Sequence, residues 1–167
     1  MGDESPIMSK TNRCNYLIYS VIINSVANTR NEVITMIMDN NSHSVFSLNY
    51  HLVFVVKYRR QVINNDVSNR LKDIYNYISP KYNITLLEWN HDKDHIHILF
   101  KAHPNSELSK FINAYKSASS RLIKKEFPNI KNKLWREYFW GRSFCLVTTG
   151  GAPLDVIKKY IENQGKK

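Results

Sequence analysis

The chain has 167 residues, 43% of them hydrophobic and 12% aromatic, which suits one folded domain with its own core and excludes a wholly disordered protein. Its formal net charge of +10 favours a polyanionic partner, because clustered lysines and arginines displace the counterions condensed on phosphates. The two cysteines are too few for a disulfide framework or a cysteine-rich metal cluster. The sequence also has no apolar run long enough to span a membrane and no basic N-terminal leader, so we expect a soluble cytoplasmic protein without membrane association.

The first quarter of the chain differs in charge from the rest. Residues 1–42 carry a net charge of −1, which leaves +11 for residues 43–167. Their apolar residues also show poor amphipathic order. We therefore predict an N-terminal extension over residues 1–42, poorly ordered or translated from an upstream start, followed by a basic domain over residues 43–167.

The domain begins with a strand, a helix and a hairpin. Apolar residues fall at every second position of residues 44–57, the period of a half-buried strand. Residues 66–78 place their apolar side chains on one helical face and begin with an aspartate suited to an N-cap. The apolar segments 84–89 and 95–101 flank the polar residues 90–94, which predicts two strands joined by a turn.

The second half predicts a helix, a strand and a terminal helix. An apolar stripe begins at Leu108 and continues to Ile123. Residues 143–149 predict the last strand, and Pro153 is well placed to open a helix that ends near Gln164. The order β-α-β-β-α-β-α predicts an α+β fold, a ferredoxin-like or RRM-like antiparallel sheet with helices on one face plus a C-terminal helix.

Two imidazoles share one face of the third predicted strand. In the sequence DKDHIHILF, residues 92–100, side chains alternate, so His95 and His97 lie opposite the three apolar residues. The pair could bind a metal ion, although solvent-facing histidines are common on strands. Zinc is a weaker alternative: His91 and His103 lie nearby, but no cysteine or HExxH spacing accompanies them.

The terminal helix carries a tyrosine and an amide one turn apart. Tyr160 and Gln164 are four residues apart and therefore share a helical face. That face is close to the one with Leu154, Ile157 and Ile161, so the residues alone favour a packing role for Tyr160.

A basic and aromatic run ends the first strand: Lys57, Tyr58, Arg59 and Arg60. Such side chains contact phosphates and stack on unpaired bases, although a solvated strand end has the same composition. Base stacking is also open to four later aromatic residues, for which packing in a core or a dimer interface is the preferred interpretation: Trp135, Tyr138, Phe139 and Trp140.

Three segments together resemble the TnpA transposases of the insertion-sequence 200/605 family, the single-tyrosine HUH enzymes: NYHLVFVVKYRR (residues 49–60), DKDHIHILF (92–100) and TTGGAPLDVIKKYIENQ (148–164). HUH denotes two histidines flanking one bulky apolar residue, here His95-Ile96-His97. The match in order and spacing runs from about residue 43 to the C-terminus. The extension departs from the pattern, since the resembling proteins begin only slightly before the first strand, and we expect a chain that starts at Met38 to retain activity.

The resemblance implies a metal-dependent nucleophilic site. It implies a magnesium or manganese ion held by His95, His97 and Gln164, and Tyr160 as the nucleophile on a C-terminal catalytic helix. Asp92 is a further candidate ligand, and a turn-forming role is the alternative for it. Three neutral ligands leave the charge of the ion uncompensated, so that it can polarise a scissile phosphate. The covalent product would be a 5′-phosphotyrosine beside a free 3′-hydroxyl, which keeps the bond energy needed to rejoin strands.

The resemblance also implies the substrate and the assembly. The substrate would be single-stranded DNA with subterminal hairpins, and the protein a homodimer whose sites are shared between subunits, in a prokaryotic cytoplasm and nucleoid-associated when bound to DNA. Two alternative functions stay open. A non-catalytic RNA- or DNA-binding ferredoxin-like module would explain the basic, aromatic strands but not the combined histidines, tyrosine and glutamine. A replication or relaxase-type HUH nickase shares the chemistry, although the small size and close motif match argue against it.

Overall fold

The computed structural model describes residues 39–40, 45–149 and 154–163, all within one compact unit, residues 36–167. Most of the predicted extension, as well as Gln164, lies outside the described residues. The boundary predicted after residue 42 therefore stays a prediction. Within these described ranges, no helix is long and apolar enough to cross a membrane.

The described ranges contain strands, helices and short turns in the following order. The strands are β1 Asp39–Asn40, β2 Val45–Phe46, β3 Leu48–Val56, β4 Ile84–Asp92, β5 His95–Ala102 and β6 Trp140–Thr148. The α-helices are α1 Asn65–Ile78, α2 Leu108–Glu126, α3 Pro128–Lys131 and α4 Leu154–Glu162. Turns of 3₁₀ helix lie at Lys57–Arg59, Ser79–Tyr82 and Trp135–Glu137.

Strands β3 to β6 form one antiparallel sheet in the order β4-β5-β3-β6. The α1 and α2 helices contribute buried side chains to the core on one face of this sheet. The predicted α+β, ferredoxin-like arrangement is thereby confirmed. Strands β1 and β2 pair separately, and Asp39 contacts the sheet through an ion pair of 2.6 Å with Lys101 Nζ.

Alternation along β3 and β5 builds the core. Leu52, Phe54, Ile96, Ile98 and Phe100 are fully buried on one face, as the period of two requires. Helices close this face with fully buried aromatic and aliphatic side chains: Leu71, Tyr75, Phe111 and Tyr115. Removing so much apolar surface from water is the main stabilising contribution of the fold.

The helix and hairpin boundaries differ slightly from the prediction. The α1 helix begins at Asn65, and Asn64 rather than Asp66 is the N-cap, with its Oδ1 accepting from Val67 N at 3.0 Å. Strand β4 continues through Asn90 to Asp92, so only Lys93 and Asp94 remain in the turn. Pairing with β5 therefore overrides the low strand propensity of these polar residues.

A bulge interrupts β4. Leu86 is the register partner of Phe100, but Glu88 is the partner of Leu99, so Leu87 is an extra residue in the ladder. Beyond this point the odd-numbered rather than the even-numbered residues of β4 face the core.

The bulge decides which β4 side chains lie beside the histidines. Trp89 faces the core and its Nε1 donates to Ser68 Oγ of α1 at 3.0 Å. Asn90 is the register partner of His97 and shares its face of the sheet.

Candidate active site

The sheet face opposite α1 and α2 carries a row of three histidines. His51 comes from β3, and His95 and His97 come from β5, the neighbouring strand. The ring centroids of His95 and His97 are 4.9 Å apart, and those of His51 and His97 are 5.2 Å apart with the rings nearly parallel. The structure thus brings the two predicted histidines together and adds a third.

The two ring nitrogens of His97 differ in their hydrogen bonding. Its Nδ1 lies 3.0 Å from His51 Nε2, whereas its Nε2 is buried without a hydrogen-bond partner among the described residues. A lone pair on Nε2 requires the proton to sit on Nδ1, so that His97 donates to His51. Burial lowers the pKa of His97 to about 3, helped by the neighbouring charges of His51 and His95, and burial lowers the pKa of His51 to about 4. Both rings are neutral at pH 7, the form that binds metals.

His95 is oriented by a buried carboxylate. Its Nδ1 lies 2.6 Å from Asp94 Oδ1, and Asp94 Oδ2 lies 2.6 Å from Arg59 Nε. Because an ionised carboxylate only accepts hydrogen bonds, His95 donates from Nδ1 and keeps its Nε2 lone pair available. Asp94 is only 8% exposed, so these two partners must replace the water that would otherwise stabilise its carboxylate.

The turn that carries Asp94 is fixed by backbone hydrogen bonds. Val56 N donates to Asp94 O at 2.8 Å, and Ile63 N donates to Lys93 O at 2.9 Å. These bonds tie the β4–β5 turn to the last residue of β3 and to the segment that follows it. This anchoring limits the positions that the Asp94 carboxylate can take.

Asp92 occupies a position compatible with both of its predicted roles. Its Oδ1 accepts from Lys93 N at 2.7 Å, as a turn-forming aspartate does. Ligand atoms of Asp92, Asp94 and His95 also lie within 4.8 Å of one another, so the three residues form a group that could hold a metal ion.

The terminal helix lies over the histidine face of its own chain. Asn90 Nδ2 donates to the carbonyl oxygen of Ile161, and the Ile161 side chain is fully buried. Since Asn90 is opposite His97 in the sheet, the backbone of α4 passes beside the histidine row. Tyr160 belongs to this helix but its side chain, like Gln164, lies outside the description.

The predicted DNA-contacting run turns away from β3 at the edge of this site. Tyr58 is 60% exposed, Lys57 Nζ lies 4.9 Å from its ring centroid, and Arg60 is exposed. Arg59 is exposed along much of its side chain but holds Asp94, so it is shared between this run and the histidines.

Two residues of the site, His51 and Asp94, are absent from the predicted site residues. For Asp94 the sequence leaves two roles open, a turn former or an acceptor that orients a histidine, and His51 gives no signal beyond its position on the less apolar side of β3. Their roles depend on the pairing of β3 with β5 and on the bond from Arg59. The register that brings His51 beside His97 is a tertiary feature, and only the HIH spacing is visible in the sequence.

The donor set fits a divalent cation. The group of Asp92, Asp94 and His95 combines one imidazole nitrogen with carboxylate oxygens. The Nε2 of His97 does not belong to that group, but it is buried without a hydrogen-bond partner among the described residues and is an atom that a cation would satisfy. With metal–nitrogen distances near 2.1 Å, two imidazoles on one ion have centroids about 5 Å apart, close to the separation of His95 and His97.

Comparisons with known proteins agree on one family. The family model described as "Transposase IS200 like" matches residues 44–164. The ISDra2 transposase TnpA of Deinococcus radiodurans is 37% identical over 123 residues, which cover 74% of this chain and 88% of that protein. The transposase for insertion sequence element IS200 of Salmonella typhimurium is 31% identical over 123 residues, 74% of this chain and 80% of that protein. A crystal structure of a candidate transposase from Deinococcus radiodurans R1 superposes with a TM-score of 0.62 at 34% identity, covering 77% of this chain and 98% of the other.

Proposed function

The chain belongs to the family of IS200-like transposases, DNA-processing enzymes, and on that premise we propose that it cuts and rejoins single-stranded DNA at insertion-sequence ends through a 5′-phosphotyrosine on Tyr160. The observation that carries this proposal is the pair of oriented imidazoles. His95 and His97 each have Nδ1 engaged, by Asp94 and His51, so that both can direct an Nε2 lone pair at one cation.

The nucleophile of the proposed reaction is the Tyr160 hydroxyl. Its oxygen attacks the scissile phosphorus, the bond from phosphorus to the 3′-oxygen breaks, and a 5′-phosphotyrosine and a free 3′-hydroxyl result. A phenol with a reference pKa near 10 must lose its proton as it attacks. When another 3′-hydroxyl attacks the phosphotyrosine, the steps reverse and two DNA strands are joined without a nucleotide cofactor.

The proposed cofactor is magnesium or manganese, held by His95, His97 and Gln164, with Asp92 as a further ligand. When bound, the ion supplies Lewis-acid stabilisation of the charge on the phosphoryl and leaving oxygens. The chain's own part is positional. Asp94 and His51 hold the two rings, and the hydrogen bond from Asn90 to the backbone of Ile161 holds α4 over the same face.

The proposed substrate contact begins with Lys57, Tyr58, Arg59 and Arg60. Their cations can bind phosphates of a strand that passes the histidines, and Tyr58 offers an exposed ring. Hairpins near the element ends would provide the double-stranded part of the substrate.

The covalent intermediate can be detected directly. The protein is incubated with a 5′-labelled and, separately, a 3′-labelled single-stranded element end in the presence of Mg²⁺, and the products are separated on a denaturing gel. A protein–DNA adduct retaining only the 3′-side label is expected from the wild type. Tyr160→Phe should give no adduct, whereas Tyr77→Phe, at a 73% exposed tyrosine on α1, should behave as the wild type.

Two outcomes would contradict the proposal. Adduct formation by Tyr160→Phe would assign the nucleophile to another residue. DNA binding by the wild type without any adduct, at every Mg²⁺ or Mn²⁺ concentration tried, is the result expected of a non-catalytic nucleic-acid-binding module.

The proposed assembly is a homodimer with sites shared between subunits. The test mixes a His95→Ala protein with a Tyr160→Phe protein, each inactive alone. Shared sites predict that the mixture regains cleavage, because one composite site then contains both intact parts. A mixture as inactive as its components would show that each subunit uses its own α4 helix, which packs on β4 of the same chain in the structure.

A further inference from the structure

Three aromatic side chains form an exposed cluster near the end of β3. Tyr58 and Trp135 meet edge to face with centroids 5.1 Å apart, and Trp135 stacks on Tyr138 at 6.1 Å. Tyr58 is 60% exposed, Trp135 36% and Tyr138 59%, although Phe139 and Trp140, the next residues along the chain, are buried in the core. The cluster is therefore a surface feature and not the edge of the core.

Cations surround this cluster. Lys57 Nζ lies 4.9 Å from the Tyr58 ring centroid, and the Arg136 guanidinium lies 4.6 Å from that of Trp135. Arg60, two residues after Tyr58 in the chain, is exposed, and Glu137, the acidic residue next to Arg136, is paired with Lys131 at 3.0 Å. Aromatic faces bordered by positive charge are complementary to a chain of unpaired bases linked by phosphates. A duplex would offer its phosphates but not the faces of its bases.

The cluster is supported by two unusual turns that are joined to each other. Tyr58 and Arg59 have φ angles of 57° and 56°, and Arg136 and Glu137 have φ angles of 47° and 61°, a conformation that non-glycine residues rarely adopt. Lys57 N donates to Phe139 O at 2.8 Å and so joins the segments that carry Tyr58 and Tyr138. Backbone conformations of this kind persist only where the surrounding structure holds them, and they cluster at functional sites.

The cluster is connected to the histidines through Arg59. This residue follows Tyr58 directly and binds Asp94, whose other oxygen holds His95. A base stacked on Tyr58 would thus lie on the residue next to Arg59, which binds the carboxylate that orients His95.

We infer that Tyr58, Trp135 and Tyr138 form a base-stacking platform that holds unpaired bases of the DNA strand next to the phosphate that is cut. The inference rests on the proposed function for the identity of the strand as DNA. It adds Trp135 and Tyr138 to the substrate site and assigns the platform to bases, while the neighbouring cations bind phosphates.

The test separates the contribution of base stacking to DNA affinity from the contribution of phosphate binding. Binding is measured in EDTA, where no cleavage occurs, by the fluorescence anisotropy of an oligothymidine of about 12 nucleotides and of an abasic strand with the same number of phosphates. We expect the wild type to bind the oligothymidine about tenfold or more tightly than the abasic strand. Trp135→Ala and Tyr138→Ala should each lose about tenfold on the oligothymidine and nothing on the abasic strand.

Two further variants control for chemistry and for fold. Tyr77→Ala removes another exposed tyrosine with a cation over its ring, Lys81 at 4.3 Å, but from α1, and should leave both affinities unchanged. Trp135→Phe retains a stacking ring and should restore most of the affinity while removing the DNA-induced quenching of tryptophan fluorescence. The other tryptophans, Trp89 and Trp140, donate to serines of the helices and should not respond.

Several results would overturn the platform. These are equal affinity for the two strands, equal losses on both strands in the Trp135 and Tyr138 variants, or a loss in Tyr77→Ala as large as in Trp135→Ala. Because the assay needs no cleavage, it is independent of the Tyr160 adduct. Loss of the adduct with intact stacking refutes the proposed chemistry alone, whereas an adduct without stacking refutes the platform alone.

Discussion

The two faces of the sheet use the same strands for different purposes. On β5, Ile96, Ile98 and Phe100 are fully buried against the helices, while His95 and His97 on the opposite face are held by polar partners. One face is filled almost entirely by apolar side chains. The other contains buried His97, whose Nε2 has no hydrogen-bond partner among the described residues. The comparison teaches that one strand can contribute stability and site chemistry independently, because alternation separates them by a single residue.

The largest effect on stability should come from shortening a side chain on the helix-covered face, the face of the sheet that packs against α1 and α2. Phe100→Ala should lower the free energy of unfolding by about 3–5 kcal/mol, since a fully buried ring leaves a cavity. His97→Ala should cost only about 1 kcal/mol, because one of its nitrogens already lacks a partner among the described residues. Urea unfolding in EDTA measures both. Equal losses would show that the histidine face also determines stability.

The next effect concerns the histidine face alone. Asp94→Asn should weaken Mn²⁺ binding about 10–100-fold, because a neutral amide no longer fixes the proton of His95 on Nδ1. Titration calorimetry measures the affinity, and Asp73→Asn, on the exposed surface of α1, is the matched control. If the Asp94 variant binds Mn²⁺ as tightly as this control, Asp94 has no positioning role.

Alkaline pH should lower the stability of the protein through two tyrosines that are buried on the helix-covered face. Burial raises the pKa of Tyr75 and of Tyr115 above the ordinary value of 10. Above pH 10 the unfolded chain therefore loses protons that the folded chain keeps, so the stability present below pH 10 falls as the pH rises, by at most about 1.4 kcal/mol per pH unit for each tyrosine. Urea midpoints between pH 9 and 11 measure the slope. A Tyr75→Phe, Tyr115→Phe double variant should show a shallower slope, and an unchanged slope would assign the effect to other groups.

The smallest effect distinguishes two hydroxyls within the core. Tyr115 Oη donates to Leu71 O at 3.1 Å, whereas Tyr75 Oη is buried with no partner among the described residues. Tyr115→Phe should cost about 1 kcal/mol, and Tyr75→Phe should be neutral or stabilise by up to about 1 kcal/mol, because it removes an unsatisfied polar group. Neutral-pH urea unfolding compares the two, and a destabilised Tyr75→Phe protein would indicate an undetected partner.

The elements that were predicted well are those with an unbroken pattern. The alternation of β3, the apolar stripe of α2 and the HIH spacing each place side chains on a face without reference to the rest of the fold. The end of β4 was missed, because Asn90 and Asp92 have low strand propensity and become strand only through pairing with β5. His51 and the Arg59–Asp94 bond were missed because they depend on which strands are neighbours. Sequence periodicity thus predicts which face of an element a side chain lies on, whereas the contacts between side chains depend on the register of neighbouring strands.

The bulge in β4 has a consequence for the evolution of this domain. Removing Leu87 would leave a regular ladder in which Leu86 still faces Phe100 and Glu88 still faces Leu99, with no residue on either side changing its orientation. The strand can therefore differ by one amino acid in length between homologous chains while the asparagine opposite His97 keeps its place. A one-residue insertion or deletion at this point therefore leaves unchanged the geometry of the hairpin end that carries the histidines.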